Sequence, residues 1–393
     1  MISPVLANVV DLNAASGTQY MPVCSSIMSQ STTEAEVKEV APVSGSFKKF
    51  SVKLVTAPGA GKSWTFTVRV NGVDTSMAVT ISESDTTGSD LSPINFNKGD
   101  VITVKATSSG SPATTKLSYY FMCNANGNPW FFGSTGDLNA SATRYFMPYG
   151  ATGVSATETE NQCIIPTDGT LTTLCINLET APGSGKSYTF TVRKNGVDTA
   201  LIVVVSDSNT TGEATGSIDI TTGDRITIKV VPSGTPAIGL VQGGILCVPD
   251  VDGTSMQFTS TNAMETTATV RRFSPAGFCN SGMVGSDESQ IIYPSCTVKS
   301  MYVWQGSPTD SGADSNTWQF TVNSVGSAIA VVLANPNSEG SDTGDVSISD
   351  GDLINVVVTY SNTSYGSDDN AAVGIQTFIQ PVKNFDDFMG FFE

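Results

Sequence analysis

The sequence predicts an all-β fold made of three tandem antiparallel β-sandwich domains of jelly-roll-like form. Two observations lead to this prediction. Short apolar stretches alternate with Gly, Pro, Asn and Asp, and no convincing amphipathic helical pattern interrupts them. Much of the sequence also recurs along the chain, in units of about 125 residues, which is an ordinary size for a single domain. Each unit is therefore expected to bury a core of its own.

The clearest repeat is "TAPGAGKSWTFTVRVNGVDT" at residues 56–75, which returns as "TAPGSGKSYTFTVRKNGVDT" at residues 180–199. The register then holds without a gap through the matching pair Gly99-Asp100 and Gly223-Asp224 as far as Cys123 and Cys247. A diverged third copy has "WQFTV" and a Gly-Asp step in the corresponding places. We therefore predict three modules and a short tail, at residues 1–123, 124–250, 251–383 and 384–393.

Within each module about eight short stretches have the alternating apolar and β-branched residues of strands. Asn71-Gly72 lies between two of them and suits a type I′ hairpin turn, which needs two residues that tolerate positive φ. Gly-Asp precedes a strand in each copy, as a turn whose carboxylate bonds backbone amides. In module one the clearest strand-like stretches are residues 50–56, 63–70, 77–82, 101–107 and 117–123.

The Gly-Lys-Ser in the repeated segment resembles a nucleotide-binding loop but does not fit one. A P-loop needs a glycine five positions before Gly61, where this chain has Thr56, and a helix after Ser63, where it has a strand pattern. We predict instead a loop that opens a hairpin. Lys62 and its counterpart Lys186 are expected in exposed loops, either solvated or in contact with a neighbour or a glycan.

The composition excludes the commonest catalytic chemistry. The chain contains no histidine, which removes Ser-His-Asp and Cys-His catalysis and the usual general base. Paired carboxylates remain available, but no pair stands out. Four aspartates of module three offer oxygen ligands for calcium without the spacing of a known loop, and we predict no cofactor. These aspartates are Asp342, Asp345, Asp350 and Asp352.

The net charge of −17 argues against direct nucleic-acid binding, which depends on basic side chains. No apolar run approaches the ~20 residues that span a bilayer. The first residues lack the basic start of a secretory signal. The seven cysteines form no close pairs, so we predict reduced, buried thiols, with a Cys163–Cys175 bridge as the alternative.

The tail "NFDDFMGFFE" differs from the rest of the chain because it concentrates apolar side chains among acids. Such a segment loses solubility unless something buries it, so we predict a partner-docking peptide; folding back onto module three is the alternative. The apolar residues of this segment are Phe385, Phe388, Met389, Phe391 and Phe392.

The run "APGxGKS-aromatic-TFTVRxNGVDT", followed by "TTG", "GDxIT" and "SG(S/T)PA", resembles β-sandwich modules in virion proteins of tailed bacteriophages, of the fibre, spike or capsid-decorating type. The match is specific in modules one and two and weak in module three. The resemblance implies a non-enzymatic structural role in the virion, with other virion proteins as partners and no catalytic residues.

Several alternatives stay open at this stage. The modules are expected to form a pseudo-threefold ring or a rod, and the chain a homo-oligomer. A cell-surface adhesin or carbohydrate-binding protein, recognising a glycan or host receptor, would expose aromatic residues on loops. A carbohydrate-active enzyme would place two carboxylates in one cleft.

Overall fold

The structure, a computed structural model, describes residues 1–261, 270–278, 290–306, 315–361 and 370–379. It is built from three β-sandwiches in chain order, which confirms the all-β prediction. Each sandwich consists of two sheets whose apolar side chains meet between them. Residues 384–393, predicted to dock on a partner, and Cys279 lie outside the described residues.

Module one contains two 3₁₀ turns, Ala14–Ser16 and Glu34–Glu36, and eleven strands. The strands are β1 (Ile2–Leu12), β2 (Gln19–Met21), β3 (Ser25–Ser29), β4 (Glu39–Val40), β5 (Gly45–Leu54), β6 (Gly59–Val70), β7 (Val73–Glu83), β8 (Thr87–Asp90), β9 (Ile94–Phe96), β10 (Val101–Ser109) and β11 (Thr115–Ala125).

Module two contains one 3₁₀ turn, Glu158–Asn161, and ten strands. The strands are β12 (Asn128–Ser134), β13 (Arg144–Phe146), β14 (Gly150–Thr152), β15 (Cys163–Ile164), β16 (Gly169–Leu178), β17 (Gly183–Lys194), β18 (Val197–Asp207), β19 (Thr211–Ile220), β20 (Arg225–Ser233) and β21 (Val241–Pro249).

The described part of module three contains ten strands that follow the same order. They are β22 (Thr254–Thr261), β23 (Val270–Phe273), β24 (Gly277–Phe278), β25 (Ile291–Tyr293), β26 (Cys296–Gln305), β27 (Ser315–Val322), β28 (Val325–Ala334), β29 (Glu339–Ile348), β30 (Asp352–Tyr360) and β31 (Ala371–Phe378).

The three modules share one strand order. In module one the sheets run β1-β11-β5-β8 and β2-β10-β6-β7. Modules two and three repeat this as β12-β21-β16-β19 with β13-β20-β17-β18, and β22-β31-β26-β29 with β23-β30-β27-β28. Counting these eight strands along the chain, the sheets read 1-8-3-6 and 2-7-4-5, which is a jelly roll. Each sandwich also contains one short parallel strand pair, such as β1 with β3, in an otherwise antiparallel arrangement.

The hairpin turns explain why the repeated segment folds as it does. Asn71 and Gly72 have φ of 52° and 75°, and Asn195 and Gly196 have φ of 52° and 77°, as a type I′ turn requires. Module three, which lacks Asn-Gly, forms the same turn from Asn323 and Ser324 with φ of 51° and 67°. The turn geometry is therefore kept where the glycine is lost.

The predicted loop position of the Gly-Lys-Ser segments is wrong. Both segments belong to strands, β6 and β17, whose pairing registers shift between Gly59 and Ser63 and at the matching place in module two. A β-bulge absorbs the extra glycine residues, so the strand continues through them. Lys62 and Lys186 are half-buried, and the Lys62 stem lies against Gly110.

Six of the seven cysteines lie in the described part of the chain, and all six are buried and free, including Cys163 and Cys175. Burial raises the pKa of Cys247 and Cys296, and it raises the pKa of Cys175 to about 11. The thiol forms therefore persist at neutral pH, which suits small core side chains.

Candidate functional site: interfaces between the modules

The three sandwiches contact one another in a closed cycle. In each module a short strand (β4, β15 or β25) lies against the β1-type sheet of another module: β4 contacts β12, β16 and β21, β15 contacts β22, β26 and β31, and β25 contacts β1 and β11. We name these the first, second and closing interfaces. Of the ring and the rod that the sequence left open, the contacts describe a ring.

Burial on both faces marks the sheets that form these interfaces. An antiparallel strand in an isolated sandwich alternates between buried and exposed residues. In β11, β21 and β22 the residues are buried in near-continuous runs. One face of each strand meets the core of its own module, and the other face meets a neighbouring module. The buried core of modules one and two is accordingly continuous, and it extends to Met256 and Phe258 of module three.

The first interface depends on a missing side chain. Gly244 of β21 lies under the Val40 carbonyl and the Pro42 ring, and a Cβ there would lie 2.7 Å from the Pro42 Cδ. Gln242 Nε2 donates to the Ala35 carbonyl at 3.2 Å, and Lys98 pairs with Glu213 at 3.0 Å on the exposed rim. Glycine therefore lets the two backbones approach closely.

The second interface repeats this arrangement with different side chains. Gly374 of β31 lies under Ile164 and Pro166, and a Cβ there would lie 3.0 Å from the Pro166 Cδ. The Arg225 guanidinium lies 5.0 Å from the ring centroid of Trp304, a cation–π contact. Gln376 Nε2 donates to Thr167 Oγ1 at 3.3 Å.

The closing interface joins the two ends of the chain and differs most in chemistry. Tyr120 stands where the other interfaces have glycine, and its hydroxyl donates to Asp350 Oδ1. Lys49 Nζ pairs with Asp350 Oδ2 at 2.6 Å and lies 5.6 Å from the Tyr120 ring centroid. The Ile292 N–H donates to Ser118 Oγ at 3.2 Å.

The axis of the ring lies where β3, β14 and β24 contact one another. Gly150 and Gly277 pack together there, because a Cβ on Gly150 would lie 2.8 Å from the Gly277 Cα. One hydrogen-bonded chain links all three modules: the Tyr149 hydroxyl donates to Gln257 Oε1, and Gln257 Nε2 donates to the Pro4 carbonyl at 3.2 Å.

A buried carboxyl lies beside this axis. Glu39 is 1% exposed, its Oε2 accepts the Cys24 N–H at 2.8 Å, and its Oε1 has no described partner. Burial raises the pKa of Glu39 well above its ordinary value, and only backbone amides oppose that rise. Burial likewise raises the pKa of Cys24 and Tyr119, which face Glu39. Burial therefore favours the neutral form of all three groups.

Away from the axis, modules one and two each contain an ion cluster beside the hairpin that joins β6 to β7 or β17 to β18. Arg69 Nε donates to Glu34 Oε1 at 2.8 Å and also contacts Asp74, which in turn pairs with Lys105. The hydrogen bond from Lys105 lowers the pKa of Asp74, although burial opposes the shift. Module two repeats these contacts with Arg193, Glu158, Asp198 and Lys229. In module three the strand registers place Thr321 opposite Asn355, as Arg69 is opposite Thr103 in module one, although the "WQFTV" match would align Thr321 with Thr67.

The four aspartates considered for calcium are separated by other contacts. Asp342 accepts the Ala330 N–H, Asp345 pairs with Lys299, Asp350 lies in the closing interface, and Asp352 accepts from Asn323 Nδ2. Among the described residues no three His, Cys, Asp or Glu side chains come close enough to hold a metal ion.

A surface cleft of about 590 Å³ lies between β23, β27, β28 and β30 of module three. Amide, hydroxyl and guanidinium groups line it, including Gln319, Thr317, Thr359 and Arg272. No carboxylate is among the described lining residues, so this cleft lacks the acid pair of a glycosidase.

Across the described ranges, no helix has the length and apolar character to cross a membrane.

The interfaces are the functional feature that sequence reasoning missed. The sequence does contain a sign of the interfaces. A proline follows each of the short strands β4, β15 and β25, at Pro42, Pro166 and Pro294. The two lysines singled out from the sequence, Lys62 and Lys186, lie on β6 and β17, which are not among the strands that form the three interfaces. Asp350, considered for calcium, proved to be an interface residue.

The solved structures to which this chain is similar include two virus structures. One, an atomic structure of Sulfolobus Turreted Icosahedral Virus, is 12% identical, with 86% of this chain and 79% of that chain covered and a TM-score of 0.19. The other, described as the triple jelly roll fold and turret assembly in an archaeal virus, is 11% identical, with coverage of 87% and 80% and a TM-score of 0.18. At such TM-scores neither carries an argument. No protein-family model and no curated protein matches the chain.

Proposed function

We propose that the chain is a non-enzymatic structural protein of a virus particle, displayed at the particle surface as a capsid-decorating, spike or fibre component. It acts through protein–protein contacts and resides in the virion. The observation that carries the proposal is the closed ring, in which each jelly roll buries the outer face of the next one's sheet. Such a unit has the shape and symmetry of a trimer in one chain.

The sequence supports this proposal independently. The repeated "APGxGKS…TFTVRxNGVDT" segment resembles modules of tailed-bacteriophage virion proteins, and the phage origin stays part of the proposal. The absence of histidine from the sequence agrees with a role in cohesion rather than catalysis. The acidic net charge of −17 would keep a displayed surface soluble.

We further propose that the tail, residues 384–393, docks on another virion protein through Phe385, Phe388, Met389, Phe391 and Phe392. The test compares particles carrying the full chain, a chain ending at residue 383, and a chain in which the four phenylalanines are serine. The last variant is the matched control for length and charge. Loss of incorporation in both variants supports docking; unchanged incorporation contradicts it.

The particle itself provides the primary experiment. Electron microscopy of purified particles should show surface density that fits a ring of three sandwiches, and labelling the chain should mark that density. Particles that lack the chain would contradict the proposal.

A second candidate is glycan binding, favoured by the hydroxyl- and amide-lined cleft of module three. A glycan array tests it: a ligand whose binding weakens in a Thr317→Val, Thr359→Val variant would support this candidate. An array without ligands would contradict it.

A further inference from the structure

The edge of module two differs from the edges of its sister modules. Strand β18 ends the sheet β13-β20-β17-β18, so one side of its backbone has no neighbouring strand. Its outward side chains include Ile202, 44% exposed, and Val204, 57% exposed. Residues 199–206, "TALIVVVS", contain no charge. A long, uncharged, apolar edge strand is a template for pairing with another strand.

Modules one and three protect the corresponding edge with an aspartate. The Ala78 N–H of β7 donates to Asp90 Oδ2 at 2.7 Å, and the Ala330 N–H of β28 donates to Asp342 Oδ2 at 2.8 Å. Ala78 and Ala330 occupy the repeat position of Ile202. Because their N–H groups donate to an aspartate and not to the neighbouring strand, the Ile202 N–H is inferred to point away from β17 as well.

Module two has lost this protection. The position of Asp90 and Asp342 holds Ala214, because "TGSD" and "EGSD" become "TGEA". No partner for the Ile202 N–H is found among the described residues. Outward positions that hold Ala78 and Thr80 in module one hold Ile202 and Val204 here. The aspartate is thus lost and the edge becomes more apolar in the same module.

We propose that β18 of one chain pairs antiparallel with β18 of a second copy. The partner must be an extended strand, since only a strand supplies the row of donors and acceptors that a sheet edge lacks. The proposal is independent of the virion function, because it rests on the edge alone.

The sequence of β18 is self-complementary in one register. With Ile202 opposite Ile202, each N–H donates to the other's carbonyl across a two-fold axis. Ala200 then faces Val204 on the same outward face, so a small side chain meets a larger one. Asp198 faces Ser206, and no two like charges are opposed. Asp198 is already paired with Arg193 and Lys229 of its own module.

The test uses a matched pair of substitutions in the full-length chain. Val204→Lys places a charge in the outward face of β18. Val332→Lys makes the same change at the repeat-equivalent position of β28, where Val332 is 59% exposed and the aspartate is kept. Sedimentation velocity should show a concentration-dependent dimer in the unmodified chain and in Val332→Lys, and a monomer in Val204→Lys. A monomeric unmodified chain, or equal loss in both variants, overturns the proposal.

Two further variants address folding and register. Ala214→Asp restores the protection of the sister modules and should also give a folded monomer. Ile202→Cys should form a disulfide-linked dimer under mild oxidation, because paired residues in this register lie within disulfide reach. Val332→Cys should not. A dimer that survives Ala214→Asp and fails to cross-link through Ile202→Cys would show that another surface or another segment forms the contact, and would refute β18 pairing.

Discussion

Lys49 and Asp350 lie 301 residues apart in the sequence and form an ion pair of 2.6 Å that joins module one to module three. The Lys49 side chain is only 4% exposed, and the Asp350 side chain is 37% exposed. The first and second interfaces connect modules that are consecutive in the chain. The closing interface joins modules that are not consecutive in the chain, so it depends entirely on noncovalent contacts, among them this pair, the Tyr120 hydroxyl and the apolar packing of Leu6 and Met122.

Substituting Asp350 should therefore weaken the closing interface. Asp350→Ala leaves a buried ammonium without its carboxylate and should cost about 2 to 4 kcal/mol of docking free energy, between the values for exposed and buried pairs. Hydrogen exchange of β1 and β25 amides measures this cost as easier local opening. The control is Glu213→Ala, which removes the exposed partner of Lys98 and should cost less than about 1 kcal/mol. Equal hydrogen-exchange protection of the β1 and β25 amides in Asp350→Ala and Glu213→Ala would contradict a role of the Lys49–Asp350 pair in closing the ring.

A side chain at Gly244 should separate modules one and two. Gly244→Val places atoms where Val40 and Pro42 already lie, and overpacking of this kind costs about 1 to 3 kcal/mol. The thermal midpoint and exchange protection of β4 should both fall. Gly136→Val is the control, because no atom lies within 4 Å of a Cβ at that position. A neutral Gly244→Val would contradict the close approach of the two modules.

Glu39 should make the stability of the chain depend on pH. Its pKa is raised by burial, so the folded chain holds a proton that the unfolded chain releases above about pH 4.3. This contribution is complete below that pH and is lost as the pH rises through the raised folded pKa. The groups that face Glu39 are Cys24 and Tyr119, and both are neutral over the same range.

Glu39→Gln keeps the shape and removes the titration. We expect the thermal midpoint of the unmodified chain to fall as the pH rises above about 4.3, and that of Glu39→Gln to fall less. Glu83→Gln, at an exposed position, should follow the unmodified chain. Parallel curves for the unmodified chain and Glu39→Gln would show that Glu39 is not buried in its neutral form.

The hairpin turn of module three offers a stabilising change. Ser324 has φ of 67°, a conformation that glycine adopts without strain, as Gly72 does at the same turn. Ser324→Gly should therefore stabilise module three by about 0.5 to 1 kcal/mol, after loss of the exposed bond from Gln290. The reciprocal change Gly72→Ser should destabilise module one by a similar amount. A destabilising Ser324→Gly would contradict the turn geometry.

Local features of the fold could be predicted from the sequence because they depend on neighbouring residues. Alternating apolar residues predicted β6 and β7, and Asn71-Gly72 predicted the turn between them. The predicted loop at Lys62 was wrong because a bulge can absorb extra glycines inside a strand. The division into modules at residues 123, 250 and 383 stays a prediction. The strands of the three sandwiches use residues 2–125, 128–249 and 254–378, so β11 continues two residues past the predicted boundary at 123.

The sequence could not decide between a ring and a rod, because the choice depends on residues that are distant in the chain and differ between copies. Tyr120, Gly244 and Gly374 occupy one repeat position, yet the two glycines lie under a backbone carbonyl and a proline, whereas Tyr120 donates to Asp350. A continuous run of buried residues such as "SYYFMC" was available as a signal, since one-sided burial would have required alternation. The proposed roles of the tail residues and of Lys62 and Lys186 in contacts with partners stay predictions.

Small-angle X-ray scattering of a monomeric sample, such as Val204→Lys, tests the closed ring most directly. A compact chain of this length should have a radius of gyration of about 21 Å. Three separate sandwiches in a rod should exceed about 30 Å, with a second maximum in the distribution of interatomic distances. A value near the smaller figure with a single maximum is the result expected here, and a value near the larger one would contradict the ring.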